Sequence, residues 1–215
     1  MNKVVIIKFI TEKKYRDRDA EKLRGYFGWK YEKEILFHNH KSKYEFLYNS
    51  PKIQYKIIDG FLSIVGINEG GDLLGDHIKD IEEIIINEEK VKVIEIEKKI
   101  EEFDLKIEEK LRYIYNLKTL WLALNQENYK KYRNQEIDLN ISMRNNIIEF
   151  FKMCGVWADK EIKVKGAFEE HITTLKNRKI LGFSGWFITN VELPNLIGLG
   201  KRKSIGFGTI AKSDD

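Results

Sequence analysis

The sequence is poor in cysteine and proline and has no long apolar run. Its 215 residues include one cysteine, Cys154, and two prolines, Pro51 and Pro194. One cysteine excludes an intramolecular disulfide and agrees with a reducing cytoplasm, and two isolated prolines mark no linker. No stretch reaches the roughly 20 apolar residues that a membrane-spanning helix needs, and charges follow the short apolar start too soon for a signal peptide. We therefore expect a cytoplasmic protein without a membrane partner.

The motifs of nucleotide-binding and metal-dependent sites are also missing. The phosphate-loop pattern G-x-x-x-x-G-K followed by Ser or Thr does not occur, and the glycine-rich stretch stands near the chain end. His38 and His40 could supply two metal ligands, but a metal site needs a third or fourth. Neither His77 nor His171 has an acidic or cysteine companion at ligand spacing, and no carboxylate cluster suggests two-metal nuclease chemistry. We expect no cofactor and no metal.

Charge is unevenly distributed along the chain, although the formal net charge is only +4. Acidic residues concentrate between Asp80 and Glu109, whereas basic residues form separate clusters at 41–43, 130–133, 176–179 and 201–203. A chain of this kind can present a basic face to the phosphates of a nucleic acid.

Hydrophobic periodicity predicts a ferredoxin-like unit in the first half of the chain. The predicted elements are a strand over 3–10, a helix over 17–31, extended segments over 35–40 and 44–48, a hairpin of 53–58 and 61–65 turning at Asp59-Gly60, a helix over 73–86 and a strand over 91–96. The order β-α-β-β-α-β is that of one ferredoxin-like unit that ends near residue 105.

The second half has a less regular pattern. Strand-like composition covers 111–124, 162–168 and 180–191, and residues 139–151 have helical spacing. We predict an α+β protein of two compact domains, 1–105 and 106–215. Trp121, Trp157 and Trp186 lie in apolar strings and are expected in the core.

A glycine-rich segment near the C-terminus combines flexible backbone with positive charge. A Gly-x-Gly pair stands on each side of a basic loop, and the segment comprises Gly198, Gly200, Lys201, Arg202, Lys203, Ser204, Gly206 and Gly208. Glycines allow positive φ and let backbone N–H groups approach phosphates, so we expect this segment to bind an RNA backbone. The alternative is a glycine hairpin that only closes a sheet.

This segment resembles the C-terminal glycine-rich loop of the CRISPR repeat-RNA endoribonucleases. The first half is similar to the subtype found in methanogens and clostridia, in the stretches 23–28, 37–41, 53–56 and 65–70. The resemblance implies two tandem ferredoxin-like (RRM-like) modules, antiparallel sheets with helices on one face, and CRISPR repeat RNA as the partner. It also implies a homodimer and hand-over of the product RNA to an effector complex.

Two histidines after the first predicted helix suit cleavage of RNA by its own 2′-OH. That reaction needs a base at the 2′-OH and an acid at the leaving 5′-oxygen, and histidine serves both roles because its ordinary pKa is about 6.5. If residues 37–40 are extended, His38 and His40 point to one side. The family keeps its catalytic histidine in this region, so the resemblance assigns the role to these two, without deciding which is the base.

Other residues near the histidines complete the predicted site. Lys43 would stabilise the developing charge on the phosphate, and Arg24 and Lys41 would bind RNA. Tyr31 and Tyr44 are candidates for the tyrosine that accompanies the histidine in the family. The main alternative function is a non-catalytic RNA-binding subunit of a CRISPR effector complex, and a further one is a structural subunit without RNA.

Overall fold

The protein has two compact units. The structure is a computed structural model that describes residues 1–38, 40–42, 45–46, 50–175 and 177–213, with the backbone alone at 40–42, 45–46 and 126. One unit comprises Met1–Phe103 with Ser204–Gly206, and the other comprises Asp104–Lys203 with Phe207–Asp215. None of the helices in the described part of the chain is long and apolar enough to cross a membrane.

The N-terminal unit is an antiparallel sheet with helices. Its strands are β1 (Asn2–Ile10), β2 (His40–Ser42), β3 (Glu45–Phe46), β4 (Ile53–Ile58), β5 (Phe61–Ile67), β6 (Glu83–Ile86), β7 (Glu89–Lys92) and β8 (Glu95–Phe103). Its helices are α1 (Ala20–Lys30), α2 (Ile35–His38) and α3 (Glu69–His77). The main sheet has the order β4-β5-β1-β8, which is the order of a ferredoxin-like unit and confirms the predicted class.

Local sequence explains the central strands well. The apolar run in β1 is buried on both faces and pairs with β5 and β8 on either side. The hairpin of β4 and β5 turns at Asp59 and Gly60, whose φ angles are 54° and 83°. Positive φ at both central residues is what a tight primed turn requires, so the predicted hairpin is confirmed.

The core of this unit lies on one face of the sheet, under the helices. Leu23 and Phe27 of α1 and Leu74 of α3 join one cluster with Val5 and Ile7 of β1. Because both helices bury their apolar stripes on the same face, the prediction of helices on one side holds for this unit.

Three predicted elements of the N-terminal unit are wrong in type or bounds. Residues 91–96, predicted as one strand, are divided between β7 and β8. Residues 35–38 form α2 instead of an extended segment. The helix predicted over 73–86 ends at His77, and β6 follows with Ile84 and Ile86 buried and Ile85 exposed. Buried and exposed residues alternate along β6, which is the period of a strand and not of a helix. Of the strand predicted over 44–48, Glu45–Phe46 forms β3, and residues 44, 47 and 48 lie outside the described residues.

The C-terminal unit has the same strand order with a different second connection. Its elements are β9 (Tyr113–Leu117), α4 (Gln126–Arg133), α5 (Leu139–Met153), β10 (Val164–Leu175), β11 (Arg178–Thr189) and β12 (Ile210–Lys212). The sheet order β10-β11-β9-β12 is again ferredoxin-like. In the N-terminal unit α3 lies between β5 and β8, whereas the connection from β11 to β12 contains the glycines and a 3₁₀ turn, Lys203–Ile205.

The tryptophans of this unit differ in burial. Trp121 is fully buried, and its Nε1 donates a 2.8 Å hydrogen bond to Asn146 Oδ1, so its predicted core position is confirmed. Trp186 is 43% exposed, and Trp157 is 83% exposed. The core positions predicted for Trp157 and Trp186 are therefore wrong.

Candidate active site and RNA interface

The turn after α1 and the short helix α2 form what we call the histidine corner, residues 31–38. Phe37 is buried and stacks on Tyr31 and Phe27, with ring centroids 4.7 and 6.2 Å apart. This packing explains why residues 35–38 are helical: the aromatic side chain enters the core from α2, and tertiary contact overrides the strand-like composition.

Two side chains hold the carbonyls at the end of α2. The Tyr55 hydroxyl donates to the Phe37 carbonyl at 2.9 Å, and Arg24 Nη2 donates to the His38 carbonyl at 2.9 Å. The last carbonyls of a helix have no partner within it, so such donors fix the helix end. Burial raises the pKa of Tyr55 above its ordinary value, which keeps its hydroxyl protonated and able to donate. The backbone of His38 is thereby positioned.

The His38 ring is oriented by the turn that precedes it. Its Nε2 lies 2.9 Å from the Glu32 carbonyl oxygen. A carbonyl only accepts hydrogen bonds, so Nε2 donates, and Nδ1 is the nitrogen that takes up a proton in the neutral ring. A Cβ at Gly28 would lie 3.4 Å from His38 Cβ, an ordinary van der Waals contact, so α1 and His38 are neighbours at this glycine.

Tyr31 connects the histidine corner to α3. Its hydroxyl donates to the His77 carbonyl at 2.8 Å, and its ring meets the His77 ring edge-on at 5.0 Å. Burial raises the pKa of Tyr31. Tyr31 thus packs against α3 and hydrogen-bonds to it, and its predicted part in catalysis stays a prediction.

The remaining predicted catalytic residues are only partly within the described chain. His40 and Lys41 lie in β2, where His40 pairs with Phe46 across an irregular register, and their side chains are not among those described. Lys43 and Tyr44 lie outside the described residues. The alternation argument for His38 and His40 fails because His38 ends a helix. Among the described residues, no three His, Cys, Asp or Glu side chains are grouped to hold a metal ion.

The glycine segment, residues 196–210, is held by hydrogen bonds within the backbone. Leu199 N–H donates to the Gly208 carbonyl at 2.9 Å, and Gly208 N–H donates to the Leu120 carbonyl at 2.9 Å. Gly198 forms a bridge with Thr209. The φ angles of Gly200 and Gly208 are 82° and 63°, and a Cβ on Gly208 would lie 2.0 Å from the Leu199 carbonyl oxygen. Glycine is required there by the backbone itself.

The three cations of this segment have different environments. Lys201 and Arg202 are exposed, and neither makes an ion pair with another side chain in the described ranges. Lys203 is 6% exposed, and its Nζ lies 2.8 Å from Glu149 Oε1. The 3₁₀ turn that begins at Lys203 directs this side chain inward, so its predicted role as an RNA-binding cation does not fit its position. Ser204 is half-buried.

The part of the glycine segment that belongs to the N-terminal unit, Ser204–Gly206, packs on β4. A Cβ on Gly206, whose φ is 94°, would lie 3.3 Å from the Tyr55 carbonyl oxygen and 3.8 Å from Lys56 Cα. Tyr55 therefore contacts Gly206 through its backbone and holds the end of α2 through its hydroxyl. Lys56 is fully buried, and burial lowers its pKa to about 7. Sequence reasoning missed both residues, because the alternation of β4 places Gln54 and Lys56 on a polar side expected to face solvent, whereas the structure buries both faces of the strand.

Both halves of the chain match known protein families. Residues 1–104 match the Cas6b N-terminal domain, and residues 106–213 match the Cas6b C-terminal domain. A crystal structure of Cas6b is 31% identical, with a TM-score of 0.90 over 99% of this chain and 100% of that chain. A crystal structure of the CRISPR RNA processing endoribonuclease Cas6b is 29% identical, with a TM-score of 0.75 over the same shares of the two chains.

A curated relative also matches. The uncharacterized protein MJ0978 of Methanocaldococcus jannaschii is 27% identical over 150 residues, which are 66% of this chain and all of that protein. The two domain matches and the 31% identical structure agree with the resemblance seen in the glycine segment and the first helix. This chain belongs to the Cas6b family.

Proposed function

We propose that this chain is an endoribonuclease that cleaves CRISPR precursor RNA within its repeat. The observation that carries the proposal is the match of both halves to Cas6b, one solved member of which is named a CRISPR RNA processing endoribonuclease. The proposed reaction needs no metal: the 2′-OH attacks the adjacent phosphorus, the bond to the 5′-oxygen breaks, and the products carry a 2′,3′-cyclic phosphate and a 5′-OH.

We assign the base to His38 and the acid to His40. With His38 as the base, the hydrogen bond from its Nε2 to the Glu32 carbonyl makes Nδ1 the nitrogen that removes the 2′-OH proton. His40 would give a proton to the 5′-oxygen as it leaves. Lys43 would stabilise the charge on the phosphate, and Tyr44 remains the candidate tyrosine.

Backbone binding is proposed for the glycine segment and for Lys41. Lys201 and Arg202 are the cations of that segment whose exposure supports contact with phosphate. Arg24, in contrast, is proposed as a positioning residue, because its guanidinium binds the His38 carbonyl. Lys203 is left out of this role because Glu149 pairs with it inside the unit.

The test is incubation of purified protein with host repeat RNA in EDTA. We expect cleavage at one position by the wild type, and a loss of about 10²–10⁴ in rate for His38→Ala and for His40→Ala, the range for removal of a proton-transfer group. His171→Ala is the matched control, because this exposed histidine lies in β10 and bonds Ser184. Tight binding of the RNA without any cleavage by the wild type would contradict the nuclease function and favour a non-catalytic RNA-binding subunit.

A modified leaving group tests which histidine is the acid. A repeat RNA with a bridging sulfur in place of the 5′-oxygen has a leaving group that needs no proton. We expect this RNA to restore cleavage by His40→Ala and to leave His38→Ala inactive. The opposite pattern would exchange the two roles.

The family also suggests partners beyond the RNA. We propose that the chain forms a homodimer and hands its product RNA to an effector complex. Light scattering of the purified protein tests the first proposal, since a monomer mass at working concentration would contradict it. Transfer of labelled product RNA to a purified effector complex tests the second.

A further inference from the structure

A cavity of about 370 Å³ lies beside α5 in the C-terminal unit. Ile148, Phe151 and Ile162 are among its apolar lining residues, and Trp157 stands at its edge. The charged residues that line it are Arg144, Lys152, Lys160 and Glu161. The volume suits a small ligand, and the charges favour an anionic one.

The exposure of Trp157 is built into the turn after α5. The Gly155 N–H donates to the Lys152 carbonyl at 3.1 Å, and the Val156 N–H donates to the Phe151 carbonyl at 3.0 Å. With Gly155 at a φ of 70°, this pair of bonds is a Schellman motif, which ends the helix in a fixed geometry. Trp157 follows directly and is 83% exposed, so its ring is presented to solvent at a defined place.

Arg144 supplies an independent sign of a ligand. Its Nε is shielded from solvent and has no hydrogen-bond partner among the described residues. Buried donors in folded proteins are nearly always paired, so this Nε belongs to a guanidinium whose hydrogen bonds the described residues do not complete. A guanidinium binds phosphate oxygens through several N–H groups at once, and the side chain lines the same cavity as Trp157.

We propose that this cavity binds one nucleotide of single-stranded RNA outside the cleaved bond. Its base stacks on Trp157, and its phosphate lies against Arg144, with Lys152 and Lys160 nearby. An exposed aromatic ring beside cations is the chemistry that binds single strands without reading their sequence. The inference rests on the proposed function for its RNA but uses no residue of the proposed active site.

The first test measures binding without cleavage. The RNA is a host repeat with a 2′-deoxy residue at the cleaved position and a single-stranded flank, and the Kd is measured by fluorescence anisotropy. We expect Trp157→Ala to raise the Kd about 5- to 100-fold, the range for loss of one base stack, and Trp157→Phe to keep most of the affinity. Ile141→Ala is the control, because Ile141 is 47% exposed on the same helix and does not line the cavity.

Salt dependence and crosslinking test the two halves of the cavity. Arg144→Gln should reduce the slope of log K against log salt by about 0.7, the contribution of one phosphate on a single strand. With 5-bromouridine in the flank, ultraviolet light should attach RNA to the tryptic peptide 153–160, which contains Trp157.

The outcomes separate this inference from the proposed function. If the wild type cuts the unmodified repeat but Trp157→Ala binds as tightly as wild type, the cavity does not bind RNA and the function stands. If the peptide crosslinks although the repeat is never cut, RNA binding by the cavity is supported and the proposed nuclease activity is rejected. Binding of an acidic peptide to the cavity, with no effect of Trp157→Ala on RNA, would assign it to a protein partner instead.

Discussion

The histidine corner and the glycine segment fix their backbones by different means. In the histidine corner, side chains of Arg24 and Tyr55 bind the carbonyls at the end of α2. In the glycine segment, N–H groups donate to carbonyls of the same backbone, and a Cβ would lie 2.5 Å from Trp121 Nε1 at Gly200 and 2.0 Å from the Leu199 carbonyl oxygen at Gly208.

This difference determines how each region should respond to substitution. A region held by side chains loses one hydrogen bond when a hydroxyl is removed, and the backbone can adjust. A region held by its own backbone must shift as a whole when an atom is added, because backbone neighbours cannot rotate away. The glycine segment should therefore be the more easily broken of the two.

The largest expected effect is at Gly208. Alanine there places Cβ 2.0 Å from the Leu199 carbonyl oxygen at a φ of 63°, so strain and overlap together should lower the free energy of unfolding by about 2–4 kcal/mol. Gly155→Ala is the matched control in the same unit, since its φ is 70° and nothing lies within 4 Å, and its loss should be about 1–2 kcal/mol. Urea unfolding followed by tryptophan fluorescence measures both, and equal losses would show that the overlap is unimportant.

Lys56 lies beside the glycine segment in the N-terminal unit, since a Cβ on Gly206 would lie 3.8 Å from Lys56 Cα. Burial lowers its pKa from 10.5 to about 7, so between these values the folded protein binds fewer protons than the unfolded chain. The free energy of unfolding should then rise by about 2 kcal/mol over the two pH units above about 7. Below that pH the contribution of Lys56 should not change.

Lys56→Met is the variant that isolates this dependence. The methionine has no titrating group, so we expect higher stability than wild type near pH 7 and a curve that is flatter between pH 7 and pH 10. Urea unfolding of both proteins at several pH values measures the difference. Parallel curves for the two proteins would show that the Lys56 ammonium is not penalised in the folded state.

Much of the fold was predictable where local and tertiary preferences agree. The turn at Asp59 and Gly60 needs two positive φ angles, and the sequence places there two residues that adopt them. The apolar run of β1 could only be a buried strand. The corner at 35–38 was not predictable, because its composition suits a strand and its helical form depends on the packing of Phe37 against Tyr31 and Phe27.

Within the candidate site, too, the residues recognisable from the sequence differ from those that only the fold reveals. His38, Gly206 and Gly208 were identified from residue chemistry and resemblance. The inward position of Lys203 and the exposure of Trp157 depend on single turns, a 3₁₀ turn and a Schellman motif, that hydropathy does not register. The donors that hold α2 come from residues distant in sequence, so only the fold reveals them.

A smaller effect is expected when hydroxyls are removed around the histidine corner. Tyr55→Phe leaves the buried Phe37 carbonyl without its donor, which should cost about 1–2 kcal/mol of unfolding free energy. It should also slow repeat cleavage with little change in RNA affinity, because His38 follows that carbonyl. Single-turnover rates and anisotropy measured on the same preparation separate the two quantities.

Tyr31→Phe is the companion variant that distinguishes positioning from catalysis. Its hydroxyl bonds the His77 carbonyl in a partly buried site, so we expect a loss of about 0.5–1 kcal/mol and nearly full cleavage. A collapse of the cleavage rate with unchanged stability would instead return Tyr31 to the catalytic group predicted from the sequence.

The smallest expected effect is at Gly25 in the N-terminal unit. The fold of this unit does not require a glycine at that position. Gly25 lies within α1, and a Cβ there would have nothing within 4 Å. Alanine has a higher helix propensity, so Gly25→Ala should raise the free energy of unfolding by about 0.5–1 kcal/mol. If RNA approaches the backbone of α1 at this glycine, the same substitution should raise the Kd for the 2′-deoxy repeat despite the gain in stability. An unchanged Kd together with that gain would show that Gly25, unlike Gly208, is needed neither by the fold nor by the RNA.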